Sequence, residues 1–315
     1  MIITGKKFSK PEMSRVKNGD VILTSNENSI KRRRLDHIIV EEHPEFNRST
    51  LQNFIKSGYV KLNGEIVKKP NLEVVTEDEN GPKENVIELT VPERDQKIDL
   101  DNIKIYEDEN VLVINKPTGL LSMAKGEFTT ETTLEDYGLL VHRLDRDTSG
   151  VVILAKNEAT QSFLRRQFQE HRTHKTYIAI VDGTPKNEEA VINLPIARNL
   201  KHPTTFVVDP KGKPSETYYK ILETKNGKSL VLLKPVTGRT HQLRVHLKYI
   251  GCPIVGDPVY NPESKGSRLF LHARSLEITI PNTSKTETTG ERRVFEATVP
   301  AEFGEEMNSN VLWRY

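Results

Sequence analysis

Residues 141–150 read VHRLDRDTSG, and residues 151–156 continue VVILAK. Arg143, Asp145, Arg146 and Asp147 crowd around Leu144, and the run breaks at Ser149-Gly150. The apolar stretch that follows has no polar alternation, which predicts a strand buried on both faces. A carboxylate at the mouth of such a strand loses hydration, and this disfavours its charged form. A fixed guanidinium nearby reverses that effect. TGRTHQLRVH (237–246) offers two, Arg239 and Arg244, and KTYIAIVDG (175–183) offers Tyr177 on a strand. A buried tyrosine hydroxyl needs a partner. Taken alone, Asp145 reads as a turn carboxylate, and Arg146 and Asp147 as parts of the same turn.

Working outward, residues 103–302 have the texture of strands: IKIYEDENVLVINKP, LLVHRLD, VVILAK, KTYIAIVDG, SETYYKILE, SLVLLKPV, RLFLHA, LEITI and VFEATVP. Two helices interrupt them. One runs near Glu158–His171, with Ala159, Phe163 and Phe168 among its apolar positions. The other runs from about Thr240 to Ile250, with Leu243, His246, Leu247 and Ile250 on one face. Many strands with short gaps and few helices predict an α+β fold with a mixed, largely antiparallel sheet.

The N-terminal third differs. Residues 1–30 lack periodicity and are expected to form an extension. KRRRLDHIIVEEH predicts a basic helix with Leu35, Ile38 and Ile39 at helical spacing. A second helix follows, with Ser49 and Gln52 in a capping-box pattern, Leu51, Phe54 and Ile55 as its stripe, and Gly58 as its stop. Asn63-Gly64 between two short runs predicts a hairpin. Residues 31–93 thus form a small α-β unit, residues 94–102 a linker, and residues 103–315 the main domain.

The chain of 315 residues has one cysteine, 35% hydrophobic residues and a net charge of +2. A single cysteine excludes a disulfide framework and a cysteine-based zinc site. No apolar run approaches the roughly 20 residues of a membrane span. These features lead us to expect a cytoplasmic protein without membrane contact. The charge is unevenly spread. Residues 31–70 hold nine Lys/Arg against five Asp/Glu, a net of +4, and residues 71–110 hold four against thirteen, a net of −9. The first block suits phosphates and the second repels them. There is no G-x-G-x-x-G. NGKS (226–229) lacks its partner glycine, with Leu222 in its place. His171 and His174 have no third ligand beside them. What remains is chemistry by Asp, Arg and Tyr.

HRLDRDTSG with VVILAK, then KTYIAIVDG, LLKPVTGRTHQLRVHL and RLFLHARSLEITIP, resembles the RluA-type family of pseudouridine synthases, in family order over about residues 103–302. RRRLD and RSTLQNFIKSGYVKLNGEIVKKP resemble the S-four-type RNA-binding domain, a frequent N-terminal appendage of that family. The resemblance implies isomerisation of uridine to pseudouridine in RNA, without cofactor or metal. It implies that Asp145 is the essential aspartate, acting as nucleophile on the sugar or as base on the ribose. It places Tyr177 against the uracil, Arg239 as the arginine paired with Asp145, Arg143 as the side chain that replaces the flipped nucleotide, and Leu243 in the apolar wall. Arg33, Arg34, Arg48 and Lys56 would contact RNA from the small domain, and RRQFQEHRTHK (165–175) could follow the RNA backbone. Lys116 and Pro117 also match and are expected to shape a strand end. The sequence departs from the family between TTLED (132–136) and LLVHRLD, where little intervenes, and this bears on target choice. Large-subunit ribosomal RNA is the first expected partner and transfer RNA the second, with the chain acting as a monomer. A non-catalytic RNA-binding or ribosome-assembly protein is the alternative. A glycoside hydrolase would need a second flanking carboxylate.

Overall fold

The computed structural model describes residues 2–4, 30–78, 80–91, 98–124, 132–282 and 290–308. Most of the expected N-terminal extension, residues 5–29, and much of the expected linker therefore lie outside the described residues. The chain forms two compact units. One takes in the described residues through 91, and the other takes in residues 98–123 and 132–308.

In the first unit, Lys31–Arg34 is a strand and not the opening of a helix; the helix spans Leu35–Glu42. All four strand residues are exposed, so they have no apolar face to bury as a helix. They pair instead with Glu73–Asp78, where Lys31 meets Glu77 at 2.5 Å and Arg32 meets Glu73 at 3.5 Å. The second helix covers Arg48–Ser57, two residues longer at its start than the Ser49 pattern predicts. Asn47 is its cap: the backbone is extended there and Oδ1 accepts from the Thr50 N–H at 2.9 Å. Gly58 ends the helix at φ 84°, a left-handed conformation that suits glycine. Asn63 and Gly64 both have positive φ and join Val60–Leu62 to Glu65–Ile66. Leu35, Ile39, Leu51, Ile55 and Val60 are fully buried together.

Asp36 is fully buried beneath these helices. Burial works against its charge. Hydrogen bonds from Arg34, Arg48 and Gln52 outweigh burial and hold the carboxyl well below the usual range. A carboxyl whose folded-state value lies below its unfolded value stabilises the fold above about pH 4, and that contribution disappears as the pH falls. The protection factors of amides in the helix Arg48–Ser57 of the whole chain are thus expected to fall below pH 4. Asp36→Asn should flatten that dependence and lose protection at neutral pH.

In the second unit, ten strands form one sheet. Along its main path the strands run Glu189–Asn193, Glu216–Lys225, Lys228–Pro235, His174–Asp182, Leu271–Pro281, Ser149–Ala155, Val111–Lys116 and Lys104–Glu107. Leu139–Leu140 adds to Ser149–Ala155, and Gly290–Glu296 adds to Leu271–Pro281. Every pairing is antiparallel except that of Ser149–Ala155 with Leu271–Pro281. RLFLHA and LEITI, expected as two strands, contribute to one strand of 11 residues.

Ser149–Ala155 is buried throughout, as its unbroken apolar run predicts. Val151 and Ile153 face one cluster, covered by Leu164 of the helix Glu158–Gln169. Val152 and Leu154 face the other, with Leu112, Ile114, Leu134 and Leu144. The helix read as Thr240–Ile250 spans Gln242–Tyr249, because His241 takes a left-handed conformation at φ 56° just before it. A third helix in this unit, Ala301–Met307, is absent from the sequence expectations; its Phe303 and Met307 enter the core. Among the described residues no helix is long and apolar enough to cross a membrane.

Candidate active site

The loop that carries Asp145 is pinned from several sides. Leu144 is buried in the core. The Ser122 hydroxyl donates to the Leu144 carbonyl at 2.7 Å and accepts from its N–H at 3.2 Å. Thr148 N–H donates to the Asp145 carbonyl at 3.2 Å and closes the turn. Lys116, fully buried, donates from Nζ to the carbonyls of Pro117, Leu120 and Arg146 at 2.8–2.9 Å. Burial pushes its pKa down to about 7, with Asp147 and Asp145 acting against that. Lys116 is therefore a clamp on the strand end and the turn. Arg146 Nε donates to the Gly119 carbonyl at 3.0 Å, in keeping with a structural place in the bend.

Gly150 closes the turn at φ 118°. A Cβ there would lie 2.2 Å from the Ala273 carbonyl oxygen, so the parallel junction needs a residue without one.

The cation that meets Asp145 is Arg244, not Arg239. Arg244 Nη1 donates to Asp145 Oδ2 at 3.1 Å. Its Nε and Nη2 form a bidentate pair with Asp257, both at 2.8 Å. Asp257 is fully buried and also accepts from the N–H groups of Val259 and Tyr260, both at 2.9 Å. Burial opposes charge on both partners, but their mutual hydrogen bonds prevail, raising Arg244 and lowering Asp257. Arg239 lies before the left-handed turn at His241, outside the helix. Its Nε donates to the Pro214 carbonyl at 3.2 Å and its N–H donates to Gln242 at 2.9 Å. It lines the same cleft but does not hold the aspartate.

The cleft encloses about 560 Å³ and is lined by Arg143, Asp145, Tyr177, Arg239, Leu243 and Arg244 among others. The Asp145 side chain is 20% exposed, while that of Arg244 is 6% exposed, so the carboxylate is open to a ligand and its partner is not. Burial pushes the Tyr177 hydroxyl well above its ordinary pKa, and the charge of Asp145 adds to this. The phenol therefore carries its proton at neutral pH. Leu243 is 7% exposed and belongs to the core cluster behind the cleft. Arg143 is exposed and, among the described residues, its guanidinium makes a weak contact to Met123 Sδ at 3.7 Å.

Sequence reasoning also missed His241. Its Nε2 lies 3.8 Å from Asp145 Oδ2, and its Nδ1 bonds the Tyr260 hydroxyl at 2.9 Å. Its left-handed backbone left no trace in the sequence. Arg244 was more legible: an arginine inside the buried run LRVHL must have a carboxylate partner.

In the N-terminal unit, Arg34 and Arg48 are bound to Asp36, and Arg33 is bound to Glu41. Each guanidinium is still about half exposed, and Lys56 is exposed. In the basic run 165–175, Arg165 caps the Leu140 carbonyl and Arg172 pairs with Glu170. Among the described residues no cluster of three His, Cys, Asp or Glu could hold a metal.

Comparison with known proteins identifies the family. Residues 110–249 match the family described as RNA pseudouridylate synthase, and residues 33–80 match the S4 domain. The chain is 33% identical to an uncharacterised RNA pseudouridine synthase, YlyB, of Bacillus subtilis, over 87% of this chain and 93% of that protein. It is 37% identical to the ribosomal large subunit pseudouridine synthase D of Borreliella burgdorferi, over 83% of this chain and 86% of that one. Among solved structures it resembles human RNA Pseudouridylate Synthase Domain Containing 1, with a TM-score of 0.54 and 30% identity, covering 65% of this chain and 88% of that one. With the Asp145–Arg244 pair set in a cleft on this mixed sheet, the chain belongs to the RNA pseudouridine synthase family and carries an N-terminal S4 domain.

Proposed function

We propose that this synthase acts on uridines of large-subunit ribosomal RNA, with Asp145 as the residue that attacks the target nucleoside. The observation that carries the chemistry is the open carboxylate of Asp145 held by buried Arg244 in a cleft beside Tyr177. Arg244 is itself held by Asp257, so it cannot follow a moving ligand, and Asp145 presents a fixed anion. A uridine within a helix must leave its stack to reach that anion, at a cost of about a few kcal/mol. Arg143 at the exposed rim offers a flat cation that stacks on bases and reaches phosphate. Asp145 then acts on the ribose as nucleophile or base, and the bond from C1′ to N1 breaks. The uracil turns, C5 bonds to C1′, and the C5 proton leaves. Tyr177, which keeps its proton, lies in the same cleft as a hydrogen-bond donor to the uracil, while the C5 proton passes to solvent and N1 takes one up.

The choice of ribosomal RNA rests on relatives named ribosomal large subunit pseudouridine synthase C and D. The exposed Lys56 and the half-exposed Arg33, Arg34 and Arg48 give the S4 domain a basic surface suited to structured RNA. Transfer RNA is the second reading. It draws on a relative named dual-specificity RNA pseudouridine synthase RluA, of Escherichia coli, 40% identical over 57% of this chain. Chemical mapping of pseudouridine across total RNA, with and without the gene, decides between them. The expected result is the loss of one or more signals confined to large-subunit rRNA. Signals lost only from tRNA would replace the first reading by the second, and an unchanged map would refute both.

A further inference from the structure

The strand His174–Asp182 brings two side chains to the cleft, Tyr177 and Lys175. A lysine ammonium taken out of water is normally matched by a carboxylate. Among the described residues Lys175 has no such partner and no hydrogen bond from Nζ. Burial alone acts on it, and pushes its pKa down to about 8. The ammonium lies beside Gly238, where a Cβ would stand 3.8 Å from Nζ, an ordinary contact distance. The other cleft groups do not neutralise it. Arg239 and Arg143 are cations, and His142 is held uncharged, first by burial and then by the charge of Lys175, at about 3. Asp145 is engaged by Arg244. Among the described residues, therefore, the cleft contains a cation without a counter-charge.

The reaction generates that counter-charge. When the bond from C1′ to N1 breaks, its electron pair stays with the base. The uracil becomes an anion with its charge spread over N1, O2 and O4. This holds whether Asp145 bonds to C1′ or removes a ribose proton, because the leaving group is the same. A preorganised cation in a site poor in water stabilises such developing charge far better than bulk solvent does. The charge is discharged when C5 bonds to C1′, the C5 proton departs and a proton returns to N1. We propose that Lys175 is a catalytic residue that receives the negative charge of the uracil as it leaves the ribose. The assignment rests on uridine isomerisation as the reaction.

The test uses the full chain, an RNA that the wild type modifies, and the variants Lys175→Met, Lys175→Gln and Lys175→Arg. In Lys175→Met the single-turnover rate at saturating RNA should fall by about 10²–10³-fold, the usual loss for one such group. RNA affinity should stay within about threefold, because no phosphate contact is removed. Lys175→Arg, which keeps the charge, should recover at least about tenfold of the loss. Removing a half-buried cation that has no partner among the described residues should leave the melting temperature unchanged or higher. Should the methionine variant misfold, glutamine of similar length reports the same kinetics. The decisive arm replaces the target uridine by 5-fluorouridine. Fluorine stabilises the departing anion, so the deficit in cleavage of the bond from C1′ to N1 should shrink by about tenfold or more. A deficit equal for both substrates overturns the assignment. So does a variant whose saturated rate is normal while its affinity drops tenfold and its salt slope falls by about one, the signature of a phosphate contact. A wild type inert on every cellular RNA would refute the isomerase reading and this proposal together.

Discussion

Replacement of Asp145 by Asn is expected to lower the rate of pseudouridine formation by about 10³-fold or more, because it removes both the nucleophile and the base available to the ribose. The shape of the loop should survive. Leu144 remains in the core, Ser122 still brackets its backbone, and Arg244 keeps its bidentate partner Asp257. The variant should also bind RNA as tightly as the wild type or slightly more tightly, since one negative charge is removed from a cleft that receives a polyanion. Single-turnover rates and filter binding on the same RNA separate the two effects. Lost affinity with unchanged chemistry would favour a binding role over a catalytic one.

The second large effect belongs to Arg244. Arg244→Met leaves the fully buried Asp257 with only the two backbone donors of Val259 and Tyr260. Breaking a buried pair in this way costs about 3–5 kcal/mol. In a unit of this size that lowers the melting temperature by roughly 10 °C. Asp145 loses its cation as well, so activity should fall with stability. Asp257→Asn separates the two losses. It keeps the shape of the site, weakens the fork, and lets Arg244 turn away from Asp145. It should therefore slow the reaction in protein that is still folded at the assay temperature. Arg239→Met should shift stability by no more than about 0.5 kcal/mol, because its one side-chain bond is to the Pro214 carbonyl near the surface. Thermal melts of the three variants, with rates at a temperature where each is folded, check these expectations. Equal destabilisation by the changes at 239 and 244 would contradict the pairing described here.

The route from sequence to site was open where local rules act alone. The unbroken run VVILAK implied a strand covered on both faces, and Val151 and Val152 do point into opposite clusters. Asn63-Gly64 implied a tight hairpin, and both residues take the left-handed backbone this requires. Asp145 stood out because four charges at the edge of an apolar run need a reason. The route closed where long-range packing decides. Arg239 and Arg244 are five positions apart in one motif, and only the left-handed turn at His241 determines which reaches the carboxylate. The role of Asp36 depends on helices that bring Arg34, Arg48 and Gln52 to one buried oxygen pair. KRRR was misread as helical because its strand partner, Glu73–Asp78, lies some forty residues further on.

The one parallel pairing among the described strands of the large sheet, Ser149-Gly150 beside His272-Ala273, has a consequence for synthesis. A ribosome releases the chain from its N-terminus, and domains form as units once their residues are out. The S4 domain can close early. The aspartate must wait 99 residues for its arginine, and its strand waits longer still for the neighbour that flanks it. A nascent chain can therefore hold RNA well before it can alter it, and a message truncated before the codon for Asp257 would yield a binder with no chemistry.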